Sequence, residues 1–204
     1  MATTGTKRSS RRASYLDGQL LIAMPGMRDP RFARSVIYMC AHSKDGAMGL
    51  IINQKADFIT LPDLLVQAKI VDEGKKPSLP PGIAEKAVHI GGPVDTSRGF
   101  VLHSGDYATK ESTLAVNGNI SLTVTIDVLK AISAGRGPKS ALVALGYAGW
   151  DGGQLEREIQ ANGWLSCPAE ESIVFDADLD AKYDRALAKL GVRSTHLVSE
   201  AGHA

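Results

Sequence analysis

The sequence predicts a single α+β domain whose sheet is mostly antiparallel. Strand signals joined by short turns dominate the first part of the chain, helices are scattered through the later part, and regular alternation of strand and helix is missing. The 204 residues, of which 44% are apolar and 22% charged, suffice for one sizeable hydrophobic core. We expect about seven or eight strands, enough to close into a barrel-like sheet with flanking helices.

The second predicted strand is expected to form a hairpin with the segment that follows it. Apolar runs at 18–24 and 35–41 indicate two strands, and the second is apolar on both faces, which favours a central position. An Asp-Gly pair within 43–46 is typical of a tight turn with positive φ. Residues 47–52 are therefore expected to return antiparallel.

The middle of the chain is expected to hold one helix, a loop and two strands. Thr60 is a suitable N-cap, and Asp63 in the first turn suits the positive end of the helix dipole. The prolines and lysines of 75–82 predict a loop. Apolar runs at 87–90 and 99–103 predict strands that end near glycines.

The second half of the chain is expected to contain three strands and three helices. The predicted strands lie at 119–124, 141–147 and 172–175. The predicted helices begin after Thr125, near Gly153 and at about Leu179, and the last of them ends before Gly191.

The charge distribution predicts a disordered basic tail, residues 1–14, ahead of a single domain that spans 15–204. The net charge is +1, yet residues 1–17 alone carry +3, and the chain from Trp150 onward carries −5. An acidic half repels a phosphate backbone, so direct nucleic-acid binding is disfavoured. Contact between the tail and DNA remains the last-ranked alternative.

The compartment is predicted from the apolar runs and the cysteines. No apolar run approaches 18 residues, so no membrane span is expected. Arg11-Arg12 resembles a twin-arginine signal, but the apolar stretch after it is short and stops at Pro25. Cys40 and Cys167 lack metal-site or redox-motif spacing and are expected to be reduced, which indicates a cytoplasmic protein.

A glycine-rich segment contains the best candidates for a site: Trp150, Gly152, Gly153, Gln154 and Glu156. In one interpretation, the two glycines leave backbone N–H groups open to an anion or to a partner's carbonyl. In the other, they only let the chain turn, and Asp151 forms a capping box with Gln154. Trp150 is expected to face the site and Trp164 to lie in the core.

The remaining candidates lie at strand ends: His42, Asn53, Gly91, Gly92 and His103. If these loops meet the Trp150 turn at one end of the sheet, they form one cleft. Three histidines at strand ends, with His89 as the third, are potential zinc ligands, but no HxH or HExxH spacing links them, and neither a metal nor a cofactor is expected. The absence of GxSxG, GxGxxG and phosphate-loop motifs disfavours serine hydrolysis, nucleotide hydrolysis and Rossmann redox chemistry.

Several motifs occur together in an order that resembles the AlgH/YqgE family of bacterial proteins. They are GQLLIAMPGMRDP at 18–30, SVIY at 35–38, DGAMGLIIN at 45–53, GGPV at 91–94, GFVLH at 99–103, GYAGW at 146–150 and GQLE at 153–156. The resemblance implies a bifurcated sheet curled into a pseudo-barrel in a cytosolic protein. It also implies the label of a transcriptional regulator of the alginate-control type, although the family's molecular function is unsettled and it supplies no catalytic residue.

The favoured function is that of a binding or regulatory protein that acts through a small ligand or a protein partner. The alternative is an enzyme that acts on a small anionic substrate, with His42 or His103 as the acid or base. The sequence contains no helix-turn-helix pattern and no basic face, which disfavours direct DNA regulation.

Overall fold

One curled, mostly antiparallel sheet of nine strands organises the chain in the computed structural model, which describes residues 15–80, 82–109, 112–117 and 119–193. The expected basic tail, 1–14, lies outside the described residues. The strands are β1 Gln19–Ala23, β2 Val36–Ser43, β3 Gly46–Ile51, β4 Val88–Ile90, β5 Val94–Ser104, β6 Thr113–Ala115, β7 Ile120–Thr123, β8 Ala141–Asp151 and β9 Trp164–Pro168.

Five α-helices flank the sheet in the described part of the chain: α1 Leu61–Gln67, α2 Ile126–Ser133, α3 Gln154–Gln160, α4 Glu171–Val174 and α5 Leu179–Lys189. A 3-10 helix, Glu73–Ser78, occupies much of the expected loop at 75–82. Among these described elements, no helix combines the length and the apolar character needed to cross a lipid bilayer.

The sheet divides at β8. The strand order is β6-β7-β5-β8-β3-β2-β1-β9, and β4 pairs parallel with β8 outside this path. The first half of β8 pairs with β5 and β4, whereas residues 148–151 pair with β3. The expected α+β fold is therefore confirmed, with a single domain and a sheet curled into a half-barrel.

Three glycines allow the backbones to meet where β4 enters between β3 and β8. A Cβ on Gly91 would lie 2.2 Å from the carbonyl oxygen of Gly146, and a Cβ on Gly92 would lie 2.1 Å from the carbonyl carbon of Tyr147. Gly146 has a φ of +70°, in the left-handed region that favours glycine. The backbone amide of Gly91 donates to Leu145, and its carbonyl accepts from Ile51. Gly91 thus hydrogen-bonds to β8 and β3 at once.

Apolar side chains fill both sides of the curled sheet. Tyr183, Ala186 and Leu187 of α5 pack on one side, and α1 and α2 cover the other through residues such as Leu65 and Val128. A third cluster joins α3 to the sheet through Leu155, Trp150 and Trp164. Both cysteines are free thiols, each 2% exposed.

Local sequence signals placed the first hairpin and helix α1 correctly. Ser43 pairs with Gly46, so the turn lies at 43–46 as predicted; its two central residues are Lys44 and Asp45, and the positive φ belongs to Gly46, at +150°. The Thr60 hydroxyl accepts from the Asp63 amide in a capping box. The Asp63 carboxylate also accepts from Lys76 Nζ at 2.8 Å, and this bond is the largest contribution to lowering the pKa of Asp63 to about 2.

Two predictions about the last third of the chain were wrong. Residues 172–175, expected as a strand, belong largely to helix α4, because a short apolar run has no periodicity that separates strand from helix. A strand that was not predicted from the sequence, β9, lies at the edge of the sheet and pairs with β1 along its whole length. In addition, β8 continues through Gly146 to Asp151 instead of turning at the glycines.

We predict that Gly91→Ala lowers the free energy of unfolding by about 2–3 kcal/mol, because the added methyl group has no space beside the Gly146 carbonyl. Urea unfolding followed by circular dichroism measures this change. Gly99→Ala is the matched control, since a Cβ at this strand glycine has no heavy atom within 4 Å. Equal stability of the two variants would show that the close contact at Gly91 is unimportant.

Candidate functional site

A single carboxylate joins the two tryptophans of the chain. Trp150 Nε1 and Trp164 Nε1 both donate to Glu158 Oε2, at 2.9 and 2.8 Å. The two indoles meet edge to face with their centroids 5.9 Å apart. Glu158 of helix α3 is thereby bound to the end of β8 and to the start of β9, so one side chain fixes α3 against two strands.

Two roles were proposed for the glycine turn before α3, ligand binding and a purely structural turn. Its contacts fit the structural role. Gly153, with a φ of +72°, occupies the N-cap position, while Gln154 Oε1 accepts from the Asp151 amide at 3.0 Å. This is one of the two bonds of the expected capping box between Asp151 and Gln154; the N-cap, however, is Gly153, and the described residues show no reciprocal bond to the Asp151 side chain. A Cβ on Gly152 would lie 2.7 Å from the Lys44 carbonyl oxygen, so this glycine is needed for packing on the β2–β3 hairpin.

Trp150, which was expected to face the site, is largely buried. Its residue surface is 7% exposed, against 3% for Trp164, and both belong to the same core cluster. Trp150 nonetheless lies in the wall of two surface depressions. Its side chain packs in this apolar cluster, and the bond to Glu158 gives its indole N–H a partner there.

His42 and Glu156 form a pair on the other side of α3. His42 Nε2 lies 3.0 Å from Glu156 Oε1, and the Leu16 amide donates to His42 Nδ1 at 3.1 Å. Because Nδ1 accepts, the proton of the neutral ring is on Nε2 and is donated to the carboxylate. Asp17 Oδ1 accepts from the His42 amide, so this histidine anchors the segment before β1.

The other candidates also have structural partners. Asn53 Oδ1 accepts from the Val36 amide at 2.8 Å, and its Nδ2 donates to the Arg34 carbonyl at 2.9 Å, which holds the start of β2. Gly91 and Gly92 lie against β8, as described above. His103 is fully buried, with Nδ1 2.9 Å from the Ser104 carbonyl oxygen and Nε2 2.9 Å from the Thr123 hydroxyl.

The expected single cleft is therefore not assembled from these loops. None of His42, Asn53, Gly91, Gly92 and His103 lines the main surface depression described below, which does include Trp150. Across the described ranges, no three histidine, cysteine, aspartate or glutamate side chains are grouped as metal ligands.

This main depression is an open groove of about 790 Å³ on the sheet, between the hairpin end of β3 and strands β5 to β8. Its lining is mostly apolar and includes Met48, Phe100, Leu114, Leu122, Val124 and Tyr147. The guanidinium carbon of Arg98 lies 5.5 Å from the centroid of the Phe100 ring. Arg98 makes no ion pair with any residue that the structure describes, and this groove residue was not identified from the sequence.

A smaller cavity of about 220 Å³ is lined by His89 and Lys182. Lys182 is fully buried and donates from Nζ to the carbonyls of Ile52 and Val174, each at 2.8 Å, and burial lowers its pKa to about 8. His89 Nδ1 lies 3.2 Å from the Val143 carbonyl oxygen, and burial lowers the pKa of His89 to about 4. Through these contacts, Lys182 links α5 to α4 and to the residue after β3, and His89 links β4 to β8.

Three residues with notable positions were not identified from the sequence: Glu158, Arg98 and Lys182. A helical i,i+4 spacing would have put Gln154 and Glu158 on one face of α3, and Gln154 Nε2 does donate to Glu158 Oε1 at 2.8 Å. Arg98 and Lys182 carried no comparable signal. Their positions depend on strand pairing and on the packing of α5.

Comparisons with known proteins agree with this fold. A family model described as AlgH-like matches residues 20–195. A UPF0301 protein of Methylobacterium nodulans is 57% identical over 192 residues, which cover 94% of this chain and 91% of that protein. A UPF0301 protein of Mesorhizobium japonicum is 58% identical over 198 residues, 97% of each chain.

Two solved structures are similar to the chain. The solution structure of the AlgH protein from Pseudomonas aeruginosa has a TM-score of 0.70 and 43% identity, and the match covers 98% of this chain and all of that one. The crystal structure of a Corynebacterium diphtheriae protein has a TM-score of 0.67 over 94% of this chain and 96% of that one. Its 19% identity supports the fold alone.

We predict that acid destabilises the protein through His89. Burial lowers its pKa from the ordinary 6.5 to about 4, so between these values the unfolded chain binds more protons and stability falls as the pH falls. Urea unfolding at pH 7 and pH 5 should show this loss. In His89→Asn, which keeps an amide donor near Val143, the loss should be smaller by about 2 kcal/mol. Equal losses in both proteins would contradict the assignment.

Proposed function

The chain belongs to the AlgH-like family, and from that premise we propose that it is a cytosolic small-ligand-binding protein. The ligand lies in the open groove and carries an apolar body with one anionic group. The buried free thiols of Cys40 and Cys167 support a reducing compartment.

The groove itself is the observation that carries the proposal. Its volume of about 790 Å³ lies within the range of small-molecule sites, roughly 300–1,000 Å³. Val94, Leu114 and Val124 line it and are 38–49% exposed, so a ligand would remove apolar surface from water. A concave apolar surface with few polar groups is typical of a ligand site and favours a small molecule over a protein partner.

Arg98 is the reason for proposing that the ligand carries a negative charge. Among the described groove residues, Arg98 is the one with a cationic side chain. Its guanidinium packs against the ring of Phe100, which carries no charge to neutralise it. Asp45 and Asp151 lie at the hairpin end, where Gly46 pairs with Asp151. A guanidinium without a carboxylate partner is a ready site for a carboxylate or phosphate group.

The same residues argue against the other functions considered from the sequence. One guanidinium in a groove that also contains Asp45 and Asp151 is a poor match for a phosphate backbone, so regulation in this proposal acts through ligand occupancy. Both ring nitrogens of His42 and of His103 already have hydrogen-bond partners, which leaves neither free for acid–base chemistry in this arrangement.

We predict that octanoate binds the groove with a dissociation constant in the millimolar range, because it combines an eight-carbon apolar body with one carboxylate. Isothermal titration calorimetry measures the affinity. Arg98→Met should weaken octanoate binding about tenfold, which corresponds to the loss of one charge-assisted bond.

Arg136→Met is the matched control, since Arg136 is exposed and lies outside the groove. This variant should bind octanoate like the wild type. Octanol, the uncharged analogue, should bind the wild type and Arg98→Met equally. Octanoate binding that is insensitive to Arg98→Met, or no binding at all, would contradict the proposed function.

A further inference from the structure

We propose that a second depression, on the other side of the Trp150 strand end, binds a small organic ammonium ion. This tryptophan pocket is lined by Phe32, Trp150, Gln154, Glu158 and Trp164 and has a volume of about 380 Å³. Val94, Gly149 and Trp150 line both this pocket and the groove, and so separate them. The site is independent of the proposed anion site at Arg98.

The charge of Glu158 is the first argument. Its carboxylate accepts from the indoles of Trp150 and Trp164 and from the amide of Gln154, all of which are neutral donors. Within the described part of the chain, Glu158 forms no ion pair. Arg31 and Asp29 also line the pocket and bind each other at 2.6 Å, so these two charges offset each other. The pocket therefore retains one uncompensated negative charge.

The lone pairs of Glu158 give the second argument. A carboxylate has about four lone-pair sites in its plane. Oε2 accepts from the two indoles, whereas Oε1 accepts from Gln154 alone. One acceptor site on Oε1 thus remains, and an ammonium N–H fits it better than a quaternary ammonium, which has no N–H.

The aromatic lining gives the third argument. Phe32 meets Trp164 edge to face with their centroids 5.7 Å apart, and Trp164 meets Trp150 in the same way at 5.9 Å. Aromatic faces attract organic cations, most strongly in tryptophan. The pocket combines the Glu158 carboxylate with the indoles of Trp150 and Trp164, whose ring surfaces suit alkyl groups; the Phe32 ring already contacts the Arg31 guanidinium, 5.8 Å from its centroid.

The volume limits the ligand. At about 30 Å³ per water molecule, 380 Å³ corresponds to roughly a dozen waters. The pocket therefore suits a primary or secondary alkylammonium ion of up to about ten non-hydrogen atoms, not a long polyamine or a peptide.

The experiment uses n-butylammonium chloride as the probe and tryptophan fluorescence of the full chain as the signal, because both tryptophans line the pocket. Ionic strength is held constant with sodium chloride. We expect saturable binding with a dissociation constant in the millimolar range, and no saturable change with n-butanol, which has nearly the same shape without the charge.

Glu158→Gln should weaken butylammonium binding at least tenfold. Glu156→Gln is the matched control: it makes the same change of charge on the same helix, but Glu156 binds His42. Its affinity should stay within twofold of the wild type. Equal affinity in Glu158→Gln and the wild type, or equal binding of n-butanol, would overturn the proposal.

A second measurement covers the case in which Glu158→Gln fails to fold. In a two-dimensional ¹H–¹⁵N spectrum of the wild type, butylammonium should shift the indole Nε1–H signals of Trp150 and Trp164 in a saturable way. No shift, or the same shift with sodium chloride, would rule out the site. Octanoate binding to the groove is unaffected by either result, so the two proposals can fail separately.

Discussion

The close contact of three glycines at the division of the sheet is the constraint on which the structure depends. Without side chains at Gly91, Gly92 and Gly146, the backbone that follows β4 lies against β8 at distances that no Cβ would permit. This contact lets β8 pair with β5 and β4 along its first half and with β3 along its second. The curl of the sheet and the position of Trp150 follow from it, because Trp150 lies on the second half.

Glu158 attaches helix α3 to this part of the sheet. By accepting from both indoles, it holds the helix to β8 and β9 at once, and Glu156, two residues earlier, faces His42 on another side. The two glutamates therefore have separate roles, as their spacing on a helix requires. The groove and the tryptophan pocket lie on the two sides of the strand end that this helix supports.

The parts of the fold that the sequence predicted are those set by neighbours in the chain. The Asp-Gly hairpin, the capping box at Thr60 and the amphipathic helix α5 depend on contacts within a few residues. The errors lie where distant packing decides: residues 172–175 are apolar enough for a strand but form α4, and β9 was missed at the sheet edge. At the site, both tryptophans were identified beside α3, but their shared bond to Glu158 was not predicted. The groove cation, Arg98, depends on the register of β5 and carried no local signal.

The two edges of the open sheet bear on how the protein avoids aggregation. One edge is β6, with three residues, and the other is β9, with five residues that end in a proline. A strand from another molecule needs several consecutive free amide and carbonyl groups in order to pair, and proline has no amide hydrogen to offer. Because both edge strands are short, a strand from another molecule finds few free backbone groups to pair with. Growth of fibres from the open edges of this wide sheet is therefore disfavoured.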